Sequence, residues 1–177
     1  MSAFQPYGID YASVDGHKVP DIAASKADGN RFVIQRAAGD GFRNIEDPHY
    51  KRDRASWAQA NVPHGGYLIM CWPTKMRPVA EPEAQAQHFI DTVGKLRPGE
   101  LPPTLDVEFG AVKGRTGSTL SARQAVEWVE RAHKTLRKVY GLVQIYSSAR
   151  VWREDLLEWK SEKLGECPLW IKTGYYH

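Results

Sequence analysis

The sequence has few of the features that mark metal, redox and membrane proteins. Its two cysteines, Cys71 and Cys167, form no C-x-x-C motif, and its six histidines do not fall at metal-ligand spacings. Two buried thiols in strands are therefore favoured over a disulfide between these distant positions. No apolar run approaches the roughly 18 residues that cross a bilayer. We expect no metal, no cofactor and no membrane association.

Leader and phosphate-binding motifs are also missing. The first ten residues, MSAFQPYGID, lack the basic segment and apolar core of a secretion signal. Neither G-x-G-x-x-G nor G-x-x-x-x-G-K-[ST] occurs. The net charge of +3 favours an anionic polymer as partner, but it is too small and diffuse to indicate nucleic acid. We therefore expect no signal peptide, no nucleotide cofactor and no nucleic-acid partner.

Apolar and β-branched runs bounded by turn residues alternate with longer amphipathic stretches. The runs predict strands at 7–12, 31–38, 65–72, 102–108, 142–147 and 167–172, and the stretches predict helices at 20–27, 48–61, 81–96, 121–139 and 149–160. The fourth helix is the clearest, because Ser121 and Gln124 form a capping-box pattern. Such alternation is typical of parallel βα units in one domain, arranged as a barrel or as an open doubly wound sheet.

Acidic residues follow several of the predicted strands. Asp106 and Glu108 lie one residue apart in LPPTLDVEFG, so both point to the same face of a strand, with Cα atoms roughly 6–7 Å apart. Asp10 and Asp40 follow the first and second strands. Such a set favours glycosidic bond cleavage, in which one carboxyl protonates the leaving oxygen and another stabilises or attacks the cationic centre. The alternative is that these acids cap helices or pair with arginines.

Aromatic residues at strand ends are candidates for binding sugar rings. Tyr67, Tyr146 and Trp170 lie at or near predicted strand ends, where an aromatic face can pack on the apolar face of a saccharide. Core packing is an equally good explanation for each, because large aromatic side chains are mostly buried in any fold.

Six segments together resemble the glycoside hydrolase family 25 muramidases, the lysozymes of bacteriophage endolysins and of some bacteria and fungi. In order they are YGIDYASVDG, RFVIQRAAGDGFRNIEDPHYKRDRASWAQANVPHGGYLI, EAQAQHFI, LPPTLDVE, QIYSSARVW and PLWIKTGYY. The resemblance implies an α/β fold, a modified TIM-like (β/α) barrel forming one catalytic domain over 1–177. It also implies cleavage of the β-1,4 bond between N-acetylmuramic acid and N-acetylglucosamine in peptidoglycan, without metal or organic cofactor.

The same resemblance implies roles for individual residues. Glu108 matches the general acid. Asp106 matches the partner that orients the acetamido group of the substrate or stabilises the cationic intermediate, and Asp10 matches the acid that shapes the pocket. Apart from the resemblance, Arg36 and Lys172 lie near predicted strand ends, where we expect them to hold a carboxylate of the wall peptide or to pair with Asp106.

The sequence departs from the family pattern at three places. The second strand ends Arg36-Ala37-Ala38-Gly39-Asp40, where the family commonly has Lys-Ala-Thr/Ser-Glu-Gly, so Asp40 is a candidate replacement for the usual glutamate. Tyr67 is followed by Leu68 and Ile69 rather than by His and Phe. The chain ends in YYH, before the family's last strands, so we expect a barrel that lacks them.

The leading hypothesis is a peptidoglycan-degrading muramidase encoded by a phage or prophage, present in the host cytoplasm before release to the wall, or carried on a virion. We expect a monomer, with a dimer through the open barrel edge as the alternative. The main functional alternative is a catalytically impaired wall-binding domain of the same fold. Another is a phosphate-handling barrel enzyme, for which the loop at 110–118 offers the one weak anion site.

Overall fold

The structure is a computed structural model that describes residues 7–12, 21–108, 118–155 and 167–172. One sheet contains six parallel strands: β1 (Tyr7–Tyr11), β2 (Asn30–Ala38), β3 (His64–Ile69), β4 (Thr104–Val107), β5 (Gln144–Ser148) and β6 (Leu169–Lys172). Their order in the sheet is the order in the chain. A doubly wound sheet would reverse its strand order at a switch point, so this sheet is a curled half-barrel of the modified TIM-like type, without the last strands.

Helices lie between the strands, as the sequence predicted: α1 (Ile22–Ala27), α2 (Tyr50–Gln59), α3 (Pro82–Val93) and α4 (Ala122–Tyr140). At the start of α4, the Gln124 backbone N–H donates to Ser121 Oγ and the Ser121 N–H donates to Gln124 Oε1, which confirms the capping box. A π-helical turn, Val151–Asp155, follows β5. The rest of the predicted helix, 156–160, and most of the loop at 110–118 lie outside the described residues. No described helix is long and apolar enough to cross a membrane.

The two faces of the sheet differ in character. The outer face is apolar and packs against α3 and α4 in a single core that includes Leu68, Leu105, Val107, Ile145, Phe89, Trp128, Val129 and Leu136. Burying this face removes a large apolar area from water, which is the main driving force for folding. The inner face carries polar side chains, and the register places Tyr67 beside Thr104 and Asp106 beside Tyr146. The fold therefore gathers its polar groups on the concave side of the sheet.

The two cysteines do not form a disulfide with each other, and neither lies in a strand, contrary to the prediction. Cys71 follows β3 and is buried, and Cys167 precedes β6 and is half-buried. Burial raises the pKa of the Cys71 thiol to about 11, so this thiol stays protonated at neutral pH.

A buried ion pair joins α2 to the segment that precedes β4. Arg54 Nε and Nη2 lie 2.7 and 2.6 Å from the two carboxylate oxygens of Glu100, and the guanidinium also donates to the carbonyls of Val93 and Lys95. The two charged side chains are 8% and 3% exposed. Burial acts to raise the pKa of Glu100, but the hydrogen bonds from Arg54 outweigh it and hold that pKa below its usual value.

Glu100→Gln is expected to lower the free energy of unfolding by about 3 kcal/mol at pH 7, because it leaves the buried Arg54 cation without its counter-ion. A carboxyl with a lowered folded pKa stabilises above its unfolded pKa, near 4.3, and the stabilisation is lost as pH falls through the folded value. The difference in unfolding free energy between the wild type and the variant should therefore be smaller at acidic pH. Urea unfolding followed by tryptophan fluorescence at pH 7 and pH 3.5 measures both quantities.

The matched control is Glu127→Gln, which removes an exposed partner of Arg123 on α4 and should change stability little. An equal deficit for Glu100→Gln at both pH values would contradict the assigned role of the carboxylate charge.

Candidate active site

A small cavity lies on the inner face of the sheet. It is lined by Asp10, Ile34, Tyr67, Thr104, Asp106, Tyr146 and Trp170, and its free volume is about 10 Å³. That volume holds about one water molecule, so the cavity is the floor of a site rather than a complete substrate groove. Each of the six strands contributes at least one lining residue. The strand register, rather than any local motif, assembles the cavity.

The structure of β4 explains why its acids face inward. Pro102 and Pro103 precede the strand and favour extended backbone before it. Leu105 and Val107 are fully buried in the outer core, so the alternate residue Asp106 must face the cavity. Glu108 follows the strand directly. The backbone next to it is held by the Ser147 hydroxyl, which donates to the carbonyl of Val107 at 2.8 Å.

β1 is anchored beside Asp10 by an aromatic pair. The Trp57 indole N–H donates to the hydroxyl of Tyr11 at 2.9 Å, and that hydroxyl lies 3.4 Å from Asp53 Oδ2. Trp57 is 1% exposed and belongs to a second, smaller core cluster under β1 and β2. Tyr11 thus binds the outer face of β1 to α2, and Asp10 is directed to the opposite face.

Asp106 is the most buried acid of the site. It is 5% exposed, and its Oδ1 atom has no hydrogen-bond partner among the described residues. Burial raises its pKa well above the usual value, and the neighbouring charges of Glu108 and Asp10 raise it further, whereas Lys172 lowers it. A buried acceptor without a partner is costly, so this oxygen is available to a substrate group.

Tyr146 connects the cavity to Glu108. Burial raises the pKa of its phenol far above the usual value, and the charges of Glu108 and Asp106 act in the same direction. The phenol therefore keeps its proton and lies close enough to Glu108 for the two side chains to interact. Trp170 packs edge-on against the Tyr146 ring, with 4.9 Å between ring centroids and 72° between planes. This packing fixes the tyrosine near the half-buried carboxyl of Glu108.

The structure brings most of the candidate residues together. Asp10, Tyr67, Asp106, Tyr146 and Trp170 line the same cavity. Burial raises the pKa of Tyr67, with Asp106 next among the causes, so its hydroxyl is a neutral hydrogen-bonding group. The contact of each of these residues with a substrate stays a prediction.

Two candidates are placed differently from the rest, and neither Arg36 nor Asp40 is among the described residues that line the cavity. Arg36 is 4% exposed, and its Nε lies 3.4 Å from Asp47 Oδ2. Its ion pair is thus with Asp47 and not with Asp106, because the turn after β2 returns Asp47 to the strand, where its N–H donates to the Ala37 carbonyl.

Asp40 closes the turn that follows β2. Its Oδ1 accepts hydrogen bonds from the backbone N–H groups of Phe42 and Arg43, and its Oδ2 accepts a hydrogen bond of 2.7 Å from the Arg43 guanidinium. Burial acts to raise the pKa of Asp40, but these hydrogen bonds prevail and lower it. The hydrogen bonds of the local turn thus account for the position of the Asp40 side chain. A contact between Asp40 and a substrate stays a prediction.

Sequence reasoning did not identify Thr104 as a residue of the cavity or Tyr146 as a neighbour of Glu108. The position of Thr104 could have been predicted from the pattern Thr-x-Asp-x-Glu, because alternate residues of a strand point to the same face and Thr104 lies two residues before Asp106. The link between Tyr146 and Glu108 joins two strands and has no sequence signal.

The site presents two carboxyls in unlike surroundings. Asp106 is buried and close to like charges, whereas Glu108 is half-buried and lies near a phenol. Neighbouring carboxyls whose environments differ are the usual way to divide acid and base roles in hydrolysis. Within the part of the chain that is described, no three His, Cys, Asp or Glu side chains are grouped as a metal site would require.

Comparison with known proteins gives one family. The sequence profile of Glycosyl hydrolases family 25 matches residues 9–177. A family GH25 lysozyme from Aspergillus fumigatus is 25% identical, with a TM-score of 0.76, and the match covers 93% of this chain and 75% of that chain. A muramidase from Trichobolus zukalii is 25% identical over the same shares, with a TM-score of 0.74.

A family 25 glycosyl hydrolase from Bacillus anthracis shares the fold at 20% identity, with a TM-score of 0.76 over 97% of this chain and 71% of that one. A search of curated protein sequences finds no match. The profile match covers β1 from residue 9, all of β2 to β6, and both Asp106 and Glu108. This chain therefore belongs to glycosyl hydrolase family 25.

Proposed function

We propose that the protein is an N-acetylmuramidase, a lysozyme that cleaves the β-1,4 bond between N-acetylmuramic acid and N-acetylglucosamine of bacterial peptidoglycan. The observation that carries the proposal is the acid pair at the end of β4, with Asp106 buried in the cavity and Glu108 half-buried two residues further on. Family membership supports glycoside hydrolysis. The lysozyme and the muramidase at 25% identity support peptidoglycan as the substrate.

In the proposed reaction, Glu108 is protonated and donates that proton to the glycosidic oxygen as the bond to the anomeric carbon breaks. The Tyr146 phenol orients the Glu108 carboxyl. Asp106, when ionised, stabilises the positive charge that develops at the sugar ring or accepts a hydrogen bond from the acetamido N–H of the substrate. Its unpartnered Oδ1 atom leaves an acceptor free for either role.

The test is digestion of purified peptidoglycan by the wild-type protein, with new reducing ends counted and fragments weighed by mass spectrometry. We expect fragments that end in reducing N-acetylmuramic acid. Fragments ending in reducing N-acetylglucosamine would overturn the bond assignment, and fragments cut within the peptide would overturn the glycosidase assignment altogether.

The second candidate is a wall-binding domain without turnover. It is favoured by the sheet, whose order begins at β1 and ends at β6, so that both strands have a free edge among the described residues. Co-sedimentation with insoluble peptidoglycan, without release of reducing ends, would select this function over the first. The phage origin and the route to the wall stay predictions from the sequence.

A further inference from the structure

The loop between β3 and α3 leaves the sheet level with the acids of β4. Ile69, the last residue of β3, pairs with Asp106, and the Met70 N–H donates to the Asp106 carbonyl at 3.0 Å. Further along the loop, Thr74 forms an antiparallel bridge with Ser118, which belongs to the segment that joins β4 to α4. Loops at the carboxyl ends of parallel strands surround the active site in barrel enzymes. The loop therefore lies on the rim of the candidate active site.

A tight turn in this loop places Arg77 against an aromatic ring. Thr74 and Arg77 exchange backbone hydrogen bonds of 3.1 and 3.4 Å, and the Arg77 N–H also donates to the Thr74 hydroxyl at 3.0 Å. The Arg77 guanidinium lies over the ring of Phe42, 5.9 Å from its centroid, which is a cation–π distance. Phe42 belongs to the turn after β2 and is 47% exposed. Two loops of the rim thus hold a guanidinium and an aromatic ring together at the surface.

Arg77 differs from the two arginines at the end of β2 and in the turn after it. Arg36 pairs with Asp47, and Arg43 pairs with Asp40 at 2.7 Å. Arg77 is exposed, and among the described residues its guanidinium contacts the aromatic ring and no carboxylate. A guanidinium on a ring can still bind an incoming carboxylate through two parallel N–H···O hydrogen bonds. Arg77 is therefore placed to bind an anionic group of a substrate.

We propose that Arg77, positioned by Phe42, is a specificity residue that binds a carboxylate of the peptide part of peptidoglycan. The inference rests on the proposed muramidase function, whose substrate is a glycan that carries peptides with free carboxylates. The sequence predicted this role for Arg36, but that side chain is 4% exposed and paired with Asp47. The exposed rim position and the aromatic support favour Arg77 instead.

The test measures the binding of a fluorescently labelled peptidoglycan tetrasaccharide that carries its peptides. The comparison ligand is the same molecule with its peptide carboxyls converted to amides, which keeps the size and removes the charge. Anisotropy is recorded in the Glu108→Gln background, so that neither ligand is cut. The carboxylate form should bind about tenfold more tightly than the amide form, as expected for a hydrogen-bonded charge pair.

Adding Arg77→Gln should abolish this preference, because the variant lacks the cation. Adding Phe42→Leu should reduce the preference about threefold, since leucine has no π face to orient the guanidinium. The matched control is Lys75→Gln, which removes a neighbouring exposed cation from the same turn and should leave the preference unchanged.

Three results would overturn the inference: equal binding of the two ligands, no binding of either, or the same loss in the Arg77 and Lys75 variants. The last result would indicate general electrostatic attraction. A full preference in Phe42→Leu would overturn the positioning role of the ring. Digestion of peptidoglycan by the protein with Glu108 intact tests the proposed function separately, because cutting without the preference contradicts only the inference, and the preference without cutting contradicts only the muramidase activity.

Discussion

Glu108→Gln is expected to release reducing ends from peptidoglycan at least about a hundredfold more slowly than the wild type, because general acid catalysis contributes about 10²–10⁴-fold. Glutamine keeps the shape of the side chain and has an oxygen that can accept a hydrogen bond from the Tyr146 hydroxyl. It has no proton of suitable acidity for the glycosidic oxygen. The loss should therefore appear in kcat, with substrate binding retained.

Reducing-end release at saturating peptidoglycan measures this effect, and co-sedimentation measures binding. Glu127→Gln, on the exposed face of α4, is the control for loss of a carboxylate elsewhere and should match the wild type. If Glu108→Gln kept more than about a tenth of the wild-type rate, another group would be the proton donor. Unfolding of the variant is checked by its melting temperature, which should be close to that of the wild type.

Asp106→Asn is expected to lower kcat about 10²–10³-fold, the usual loss on removing one electrostatic stabiliser of a transition state. The asparagine amide fills the same space but carries no negative charge for a developing oxocarbenium ion. Its nitrogen is also a donor and cannot accept an acetamido N–H. The same reducing-end assay measures the change.

The same variant should be more stable than the wild type at neutral pH. The folded pKa of Asp106 is raised, so between the unfolded pKa, near 3.9, and the folded value the folded protein binds more protons. The free energy of unfolding therefore falls as pH rises through that interval, and the full destabilisation by the buried Asp106 charge is present above it. Asparagine is neutral at every pH and causes no such destabilisation.

Thermal unfolding at several pH values tests the prediction. The melting temperature of Asp106→Asn should exceed that of the wild type at pH 7, and the difference should vanish below about pH 3.9. A variant that is less active and less stable at pH 7 would instead make Asp106 a structural residue. Gain of stability with loss of activity is the usual sign of a functional group held at a cost to the fold.

The two acids lie in contrasting surroundings, as the two proposed roles would require. They differ by two positions in sequence, yet Asp106 is 5% exposed and Glu108 is half-buried at the strand end. Two residues of rise, about 6–7 Å, carry the side chain from the floor of the cavity to its rim. Desolvation is strongest at the floor, where burial raises the pKa of Asp106.

Much of the fold could be predicted from the sequence, because its signals are local. Alternating apolar runs and amphipathic stretches predicted six strands and five helices. All six strands and the first four helices lie near their observed bounds, and a π-helical turn lies in the described part of the fifth. Ser121 with Gln124 marked the start of α4. The Asp-x-Glu spacing on β4 requires both side chains to face one side. Each of these features depends on neighbours within one turn of helix or a few residues of strand.

The sequence by itself determined which residue types were available and which of them share a face of one strand. Only the tertiary structure decided their partners. Arg36 pairs with Asp47 instead of Asp106, Asp40 closes its own turn, and Tyr146 of the next strand lies beside Asp106 in the cavity. The physical reason is that partners between strands are set by sheet register and by burial, which depend on the packing of the outer core around the whole half-barrel.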